Sequence, residues 1–230
     1  MDFILKGLAN AWSLIISFDP AVYFIVWTSL KVSLFATFLS SMIGIPLGVL
    51  IALKRFRGKA ALQVALNTMM AFPTVVIGLL FYALLSRRGP LGTLGLLFTP
   101  AGISIGLFVL ALPTVVNLTL AAIQGLDPRL IVTCRLLGAT TIQQTMKILR
   151  EARFAITAAI VVAFGRVISE VGIAMMLGGN IRGLTRTMTT AIALETSKGE
   201  FELGLALGIV LLTVALGVNA MLFLLQRGKI

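Results

Sequence analysis

Arg166 and Glu170 carry charge where charge is most costly. They stand four residues apart, the spacing at which two side chains on one helix face meet. The surrounding run, about Phe154–Leu177, is otherwise almost wholly apolar. A charge in a membrane helix costs roughly 2.5–3.5 kcal/mol on insertion scales, and charges that persist there face a protein interior or an aqueous path. Pairing reduces that cost. Two roles are open and compatible: a structural pair that locks the helix to a neighbour, and the lining or gate of a translocation path. A second cluster follows. Gly178-Gly179-Asn180-Ile181-Arg182-Gly183 reads as a helix cap and turn. It runs into a hydroxyl-rich, moderately apolar stretch, Thr185–Leu194, that could dip back into a membrane if its backbone lines a cavity or is covered by protein. Arg182 and Arg186, again four apart, would give an oxyanion a positive, hydrogen-bonding mouth.

The missing chemistry narrows the choice. The chain has no histidine and one cysteine. That excludes a Ser-His-Asp set, a His-based metal site and a disulfide within one chain. No Gly-rich run leads into Lys-Ser or Lys-Thr, so a phosphate-binding loop is lacking. Glu170 is the one acidic residue inside the expected spans, too few for a proton relay. No catalytic residue, metal ligand set or cofactor of its own is expected. A pore-forming subunit powered by a separate partner fits this inventory.

The elements that must position these residues are membrane helices. A composition 59% hydrophobic and 12% charged, with mean hydropathy +1.07, is not that of a soluble domain. The net charge of +11 could suggest nucleic acid. Long uncharged runs separate the basic groups, however, as positive-inside loops do. Five spans are expected, at about Ala21–Leu53, Leu62–Leu85, Ile103–Ile123, Phe154–Leu177 and Leu203–Leu225. Pro46, Pro73 and Pro113 lie within the first three. Gly44 and Gly48 allow close helix approach, either inside the fold or between copies. Residues 1–20 hold a weak stripe (Ile4, Leu8, Trp12, Ile15), read as an interfacial helix. No basic leader precedes it, so a cleaved signal peptide is not expected. Basic residues concentrate at Lys54–Lys59, at Asp127–Arg153 and at the C-terminus, which predicts N-outside, C-inside.

Asp127–Arg153 is the polar interruption between spans. Asp127-Pro128 reads as a helix start, with a stripe of Leu130, Cys134 and Leu137. Gly138 ends that helix, and Thr141-x-x-Gln144 has the form of a capping box opening a second, with the stripe Ile142, Met146 and Leu149. Two short amphipathic helices joined at a glycine make a platform that can dock; a solvated loop is the plainer alternative.

Arg135-Leu136-Leu137-Gly138-Ala139-Thr140, with Ile148 ten residues past the glycine, resembles the cytoplasmic coupling loop of permease subunits of binding-protein-dependent ABC importers. Val132, Thr133 and Cys134 stand where that family usually has Glu-Ala-Ala, and Arg150-Glu151 where it tends to end in Leu-Pro. Gly165–Gly172 and Gly178–Arg186 resemble the molybdate/tungstate/sulfate branch, and Thr189–Gly199 is similar to tungstate permeases in particular. The resemblance covers most of the chain after Ala21. It implies an all-α integral membrane protein of type I importer architecture, with residues 21–230 as one transmembrane domain and 127–153 as its coupling region. It also implies a second copy of the chain, two cytoplasmic ATP-binding subunits that use ATP and Mg, and an extracytoplasmic oxyanion-binding protein. The setting would be a prokaryotic plasma (inner) membrane. Arg135–Thr140 and Ile148 would then couple to the ATPase. Arg166, Glu170, Asn180, Arg182, Thr185 and Arg186 would line or gate the path. An autonomous channel or secondary transporter, and a scaffold without a path, are the rival readings.

Overall fold

A computed structural model describes residues 9, 12–17, 19–54 and 56–227. Ile4 and Leu8 of the expected interfacial stripe lie outside the described residues. Residues 12–16 are helical, with Trp12 exposed.

The first long helix, α1 (Pro20–Leu53), starts where Asp19 Oδ1 accepts the backbone N–H groups of Ala21 and Val22, at 2.9 and 3.1 Å. Its 34 residues rise about 51 Å, more than a bilayer core of about 30 Å, so it must tilt or extend past the core. Helix α4 (Pro100–Gln124) crosses beside it, capped by the Thr99 hydroxyl on Gly102 N–H. The two glycines of α1 face α4. A Cβ on Gly44 would lie 3.0 Å from Val115, and one on Gly48 2.8 Å from Thr119 and 2.9 Å from the Val116 carbonyl oxygen. The Gly44–Gly48 motif therefore serves packing inside the fold. Helix α4 is the centre of the molecule: Ile103, Leu107, Leu110, Ala111 and Val115 are buried in one core with Val32, Ala36, Val167, Ile173 and Leu177. Helix α9 (Phe201–Arg227) sits at the periphery, mostly exposed beyond the buried Ala206 and Leu207.

Among the described residues, three helices are each long and apolar enough to cross a membrane: Pro20–Leu53, Pro100–Gln124 and Phe201–Leu224. The other two expected spans are broken. The expected Leu62–Leu85 span is two helices, α2 (Lys59–Met70) and α3 (Thr74–Leu85), meeting at 93°. Pro73 has no N–H to continue the ladder and disfavours helix at Phe72. The expected Phe154–Leu177 span is the end of a longer helix, α6 (Thr141–Ile168), followed after a 58° bend by α7 (Gly172–Gly178). Counting each bent pair as one span gives five. Close backbone contact holds α7 to α4: a Cβ on Gly106 would lie 2.5 Å from both Ile173 and Leu177, and one on Gly178 2.6 Å from Ile103. Helix α5 (Arg129–Leu136) precedes α6, and α8 (Met188–Lys198) packs between α9 and the start of α1.

Candidate functional site: an arginine at a helix break, a charged cleft and an apolar turn

Arg166 and Glu170 do not pair. Helix α6 ends at Ile168, so Glu170 lies beyond it and the i,i+4 geometry is lost. The Glu170 carboxylate turns instead to the start of α7, where Oε1 accepts Ile173 N–H at 3.1 Å. The Arg166 guanidinium crosses to two other elements. It donates from Nη2 to the Met70 carbonyl at 2.7 Å and from Nη1 to the Thr114 hydroxyl at 3.4 Å. Met70 is the last residue of α2, where carbonyls lack partners inside their own helix. A guanidinium there satisfies an orphan acceptor and meets the negative end of the helix dipole. Among the described residues no carboxylate forms an ion pair with it. The result is a half-buried positive charge, met by a helix-end carbonyl and a hydroxyl, where α2, α4 and α6 meet at the Pro73 break. Thr74, which opens α3, lies against Gly172, which opens α7: a Cβ on that glycine would be 3.1 Å from the Thr74 hydroxyl.

Asn180 and Thr185 are structural in this geometry. Thr185 is fully buried; its hydroxyl donates to the Gly178 carbonyl and accepts Ile181 N–H at 3.0 Å. Asn180 adopts a left-handed φ of 50° and donates from Nδ2 to the Thr190 carbonyl at 3.3 Å. Together they fasten the turn that presents Arg182 and Arg186. The Thr-rich stretch that follows is covered by protein. Thr187 and Thr190 form a capping box at the start of α8, Met188 N–H donates to the Ser29 hydroxyl at 2.7 Å, and the Thr189 hydroxyl donates to the Glu170 carbonyl at 2.8 Å.

Arg182 and Arg186 share a cleft of about 620 Å³ with Lys198, Glu195 and Glu200, closed on one side by Phe24 of α1. Arg186 is not a bare cation. Its Nη1 lies 3.5 Å from Glu195, which also holds Lys198 at 3.2 Å. Glu195 is 2% exposed. Arg182 is exposed. Sequence reasoning passed over Glu195, Thr114 and the Met70 carbonyl. For Glu195 the available signal was its place three residues before Lys198, as the one acidic residue of that helix.

The polar stretch 127–153 is resolved into a short helix, a turn and the foot of a long helix. Asp127 Oδ1 accepts Arg129 N–H at 2.8 Å. Gly138 has φ +70°, the left-handed conformation that ends α5. The capping box is one residue earlier than the expected Thr141–Gln144: Gln143 N–H donates to the Thr140 hydroxyl at 3.3 Å, and Thr140 N–H to Gln143 Oε1 at 2.8 Å. Gln144 instead donates to the Ala139 carbonyl. The second helix is not short, since α6 continues for 28 residues without a joint. Leu136, Leu137 and Ile142 are 83%, 80% and 77% exposed, and Val132 and Met146 are exposed beside them. Arg135, Gly138 and Thr140 are exposed around them, and Ala139 is half-buried. Ile148 does not belong to that surface. It is buried with Val49, Ile123, Ala152 and Ile156 and anchors the foot of α6. The outward stripe is therefore Leu136–Leu137–Ile142–Met146, a cluster of large apolar side chains of the kind that marks an interaction surface.

Comparison with known proteins places this architecture. Residues 44–230 match the profile of the binding-protein-dependent transport system inner membrane component. The tungstate uptake system permease protein of Peptoclostridium acidaminophilum is 38% identical over 227 residues, covering 99% of this chain and all of that one. The corresponding protein of Campylobacter jejuni is also 38% identical, over 99% of this chain and 95% of its own. A probable anion ABC transporter permease of Haloferax volcanii is 42% identical over 84% of this chain and 85% of its own. In structure the chain is similar to a subunit of an inward-facing MetNI methionine ABC transporter, with TM-score 0.74 at 19% identity over 91% of this chain and 98% of that one. A bacterial alginate ABC transporter matches equally well, with TM-score 0.74 at 20% identity over 96% of this chain and 86% of that one. The chain thus belongs to the inner membrane components of binding-protein-dependent transport systems: it is a multi-pass, non-catalytic permease subunit of an ABC importer, whose ATP is hydrolysed by separate subunits.

Proposed function

We propose that this permease carries tungstate inward, as one of two identical copies assembled with two cytoplasmic ATPase subunits and an extracytoplasmic binding protein. The observation that carries the substrate reading is end-to-end similarity, at 38% identity, to two permeases of tungstate uptake systems. Molybdate is the second reading; the molybdenum transport permease of Escherichia coli is 31% identical over 185 residues. Sulfate permeases are more distant, at 28% or less. ATP and Mg belong to the partner subunits.

The exposed Leu136–Leu137–Ile142–Met146 surface, with Arg135 beside it and Gly138 at its turn, docks on the ATPase from the cytoplasmic side. The C-terminus is then inside, and Arg182 lies at the outer mouth. The binding protein releases a dianion there, where Arg182 is the accessible cation and the Glu195-bound Arg186 sets the local field. Arg166 is the next cation inward, held at the Pro73 break without a carboxylate. Two cations without a carboxylate partner among the described residues, Arg182 and Arg166, attract a dianion without trapping it. ATP-driven closure of the partners moves the foot of α6, and the Arg166 contacts with α2 and α4 change with it. Ile148, Asn180, Thr185 and Glu170 support this path by holding its walls.

The test is uptake by the complete complex in proteoliposomes containing ATP, supplied with the cognate binding protein. Tungstate should be transported at concentrations where molybdate and sulfate are not, and the binding protein should rank the three anions in the same order. Equal transport of molybdate and tungstate would remove the substrate assignment. Ion flux through the permease without ATP or partners would remove the coupling assignment.

A further inference from the structure

Two apolar grooves meet at the end of α1. One, of about 620 Å³, lies between α1, α5 and α6. Val49, Leu53, Ile148 and Leu149 form its floor, and Arg135 and Gln144 its rim. The other, of about 550 Å³, lies between α1, α2 and α4, with Ile51, Leu66, Leu112 and Val116 along it and almost no polar surface. Leu50 and Lys54 line both. Lys54 caps α1, so it is the first residue past a membrane-crossing helix. A cation just past the end of such a helix is placed to meet lipid headgroups.

Two of the cations here lack a carboxylate partner among the described residues. Lys59 is already engaged, donating from Nζ to the Ala52 and Lys54 carbonyls at 2.9 and 3.3 Å, which closes the end of α1. Among the described residues neither Lys54 nor Arg135 forms an ion pair. An occupant must therefore bring one anionic group to Lys54 and fill two apolar grooves that diverge from it. A small soluble anion satisfies the first condition alone, and an apolar protein face the second alone. We propose that this place binds an anionic phospholipid, its phosphate on Lys54 within reach of Arg135 and one acyl chain in each groove. Basic pockets between membrane helices recognise anionic headgroups in this way. The first groove touches both α5 and α6, so the lipid braces the turn between them.

The proposal is independent of which anion is transported. The whole complex, permease with its ATPase subunits, is placed in nanodiscs of equal parts phosphatidylglycerol and phosphatidylcholine and released into native mass spectrometry. Phosphatidylglycerol should be retained in preference to phosphatidylcholine. Lys54→Ala should lower that preference about fivefold, from about 1 kcal/mol per cation at the membrane surface. Leu50→Trp, at a half-exposed position common to both grooves, should reduce retention of either lipid while ATPase co-purification is kept. Equal retention of the two lipids, or an unchanged preference in Lys54→Ala, overturns the proposal. Retention of neither lipid overturns it too; a Leu50→Cys cross-link between two copies would then identify a second chain as the occupant.

Discussion

Glu195→Gln is the most informative single change, because Arg186 was expected to face a ligand and instead faces a carboxylate. The Glu195 side chain is 3% exposed and that of Arg186 14%, whereas Lys198 is 46% exposed. Removing one partner of a buried pair costs about 3–5 kcal/mol, since the other charge is left uncompensated. The Lys198 contact adds at most about 1 kcal/mol at its exposure. Glutamine keeps a hydrogen-bonding oxygen, and the Arg186–Glu195 contact is long at 3.5 Å, so the loss should fall near the lower limit, about 3 kcal/mol. The assay is helix loss on heating the detergent-solubilised complex, read by circular dichroism. The double variant Arg186→Gln/Glu195→Gln should recover part of the loss, because no buried charge is then stranded. An unfolding curve for Glu195→Gln that overlays the wild type would refute the buried-pair reasoning. So would a double variant no more stable than Glu195→Gln.

Arg166→Met should reduce uptake more than membrane abundance, and Arg166→Lys should restore only part, since an ammonium lacks the planar fork whose two nitrogens reach Met70 and Thr114 separately; uptake normalised to permease content measures this. Leu136→Ser with Leu137→Ser should leave helix content unchanged, both being at least 80% exposed, and abolish ATPase co-purification. Gly138→Asn should fold normally, because the left-handed region suits asparagine and a Cβ there meets nothing within 4 Å; Gly138→Trp should fold with about 1–2 kcal/mol of strain and lose transport-coupled ATP hydrolysis. Intact uptake and stimulation in Gly138→Trp would sink the docking assignment. Gly106→Ala should destabilise by about 1–3 kcal/mol through its 2.5 Å approach to Ile173 and Leu177, whereas Gly165→Ala, with nothing within 4 Å, should not; thermal unfolding compares them.

The apolar runs were legible from sequence because burial in a bilayer requires them, whatever the tertiary fold. The breaks were less so. Pro46 and Pro113 lie inside helices that continue, yet Pro73 sits at a 93° elbow. The difference is tertiary: Arg166, 96 residues from Met70, takes the carbonyl freed at that elbow. The Arg166–Glu170 spacing misled because it assumes the helix reaches Glu170, and local hydrogen bonds from Ser169 to Gly165 and Arg166 close it first. The turn between α5 and α6 was legible in kind, through Gly138 and a Thr/Gln cap. Adjacent threonines and adjacent glutamines offer two registers, and sequence pattern alone selected the wrong one. Ile148 marks a further boundary: its spacing from the glycine said nothing of which helix face it occupies, and it is buried.

Helix α6 runs unbroken from the capped turn at Thr140 to the bend beyond Ile168. Inserting one residue anywhere along it would rotate everything beyond by about 100° and advance it by about 1.5 Å. Either the exposed apolar cluster at its foot or the guanidinium near its head would then point the wrong way. Point substitutions on its exposed side carry no such penalty. Under the proposed coupling, the number of residues between Thr141 and Arg166 is therefore a fixed dimension. Related permeases that share the mechanism should vary in sequence along this helix while keeping its length, and natural insertions should fall in the loops at either end.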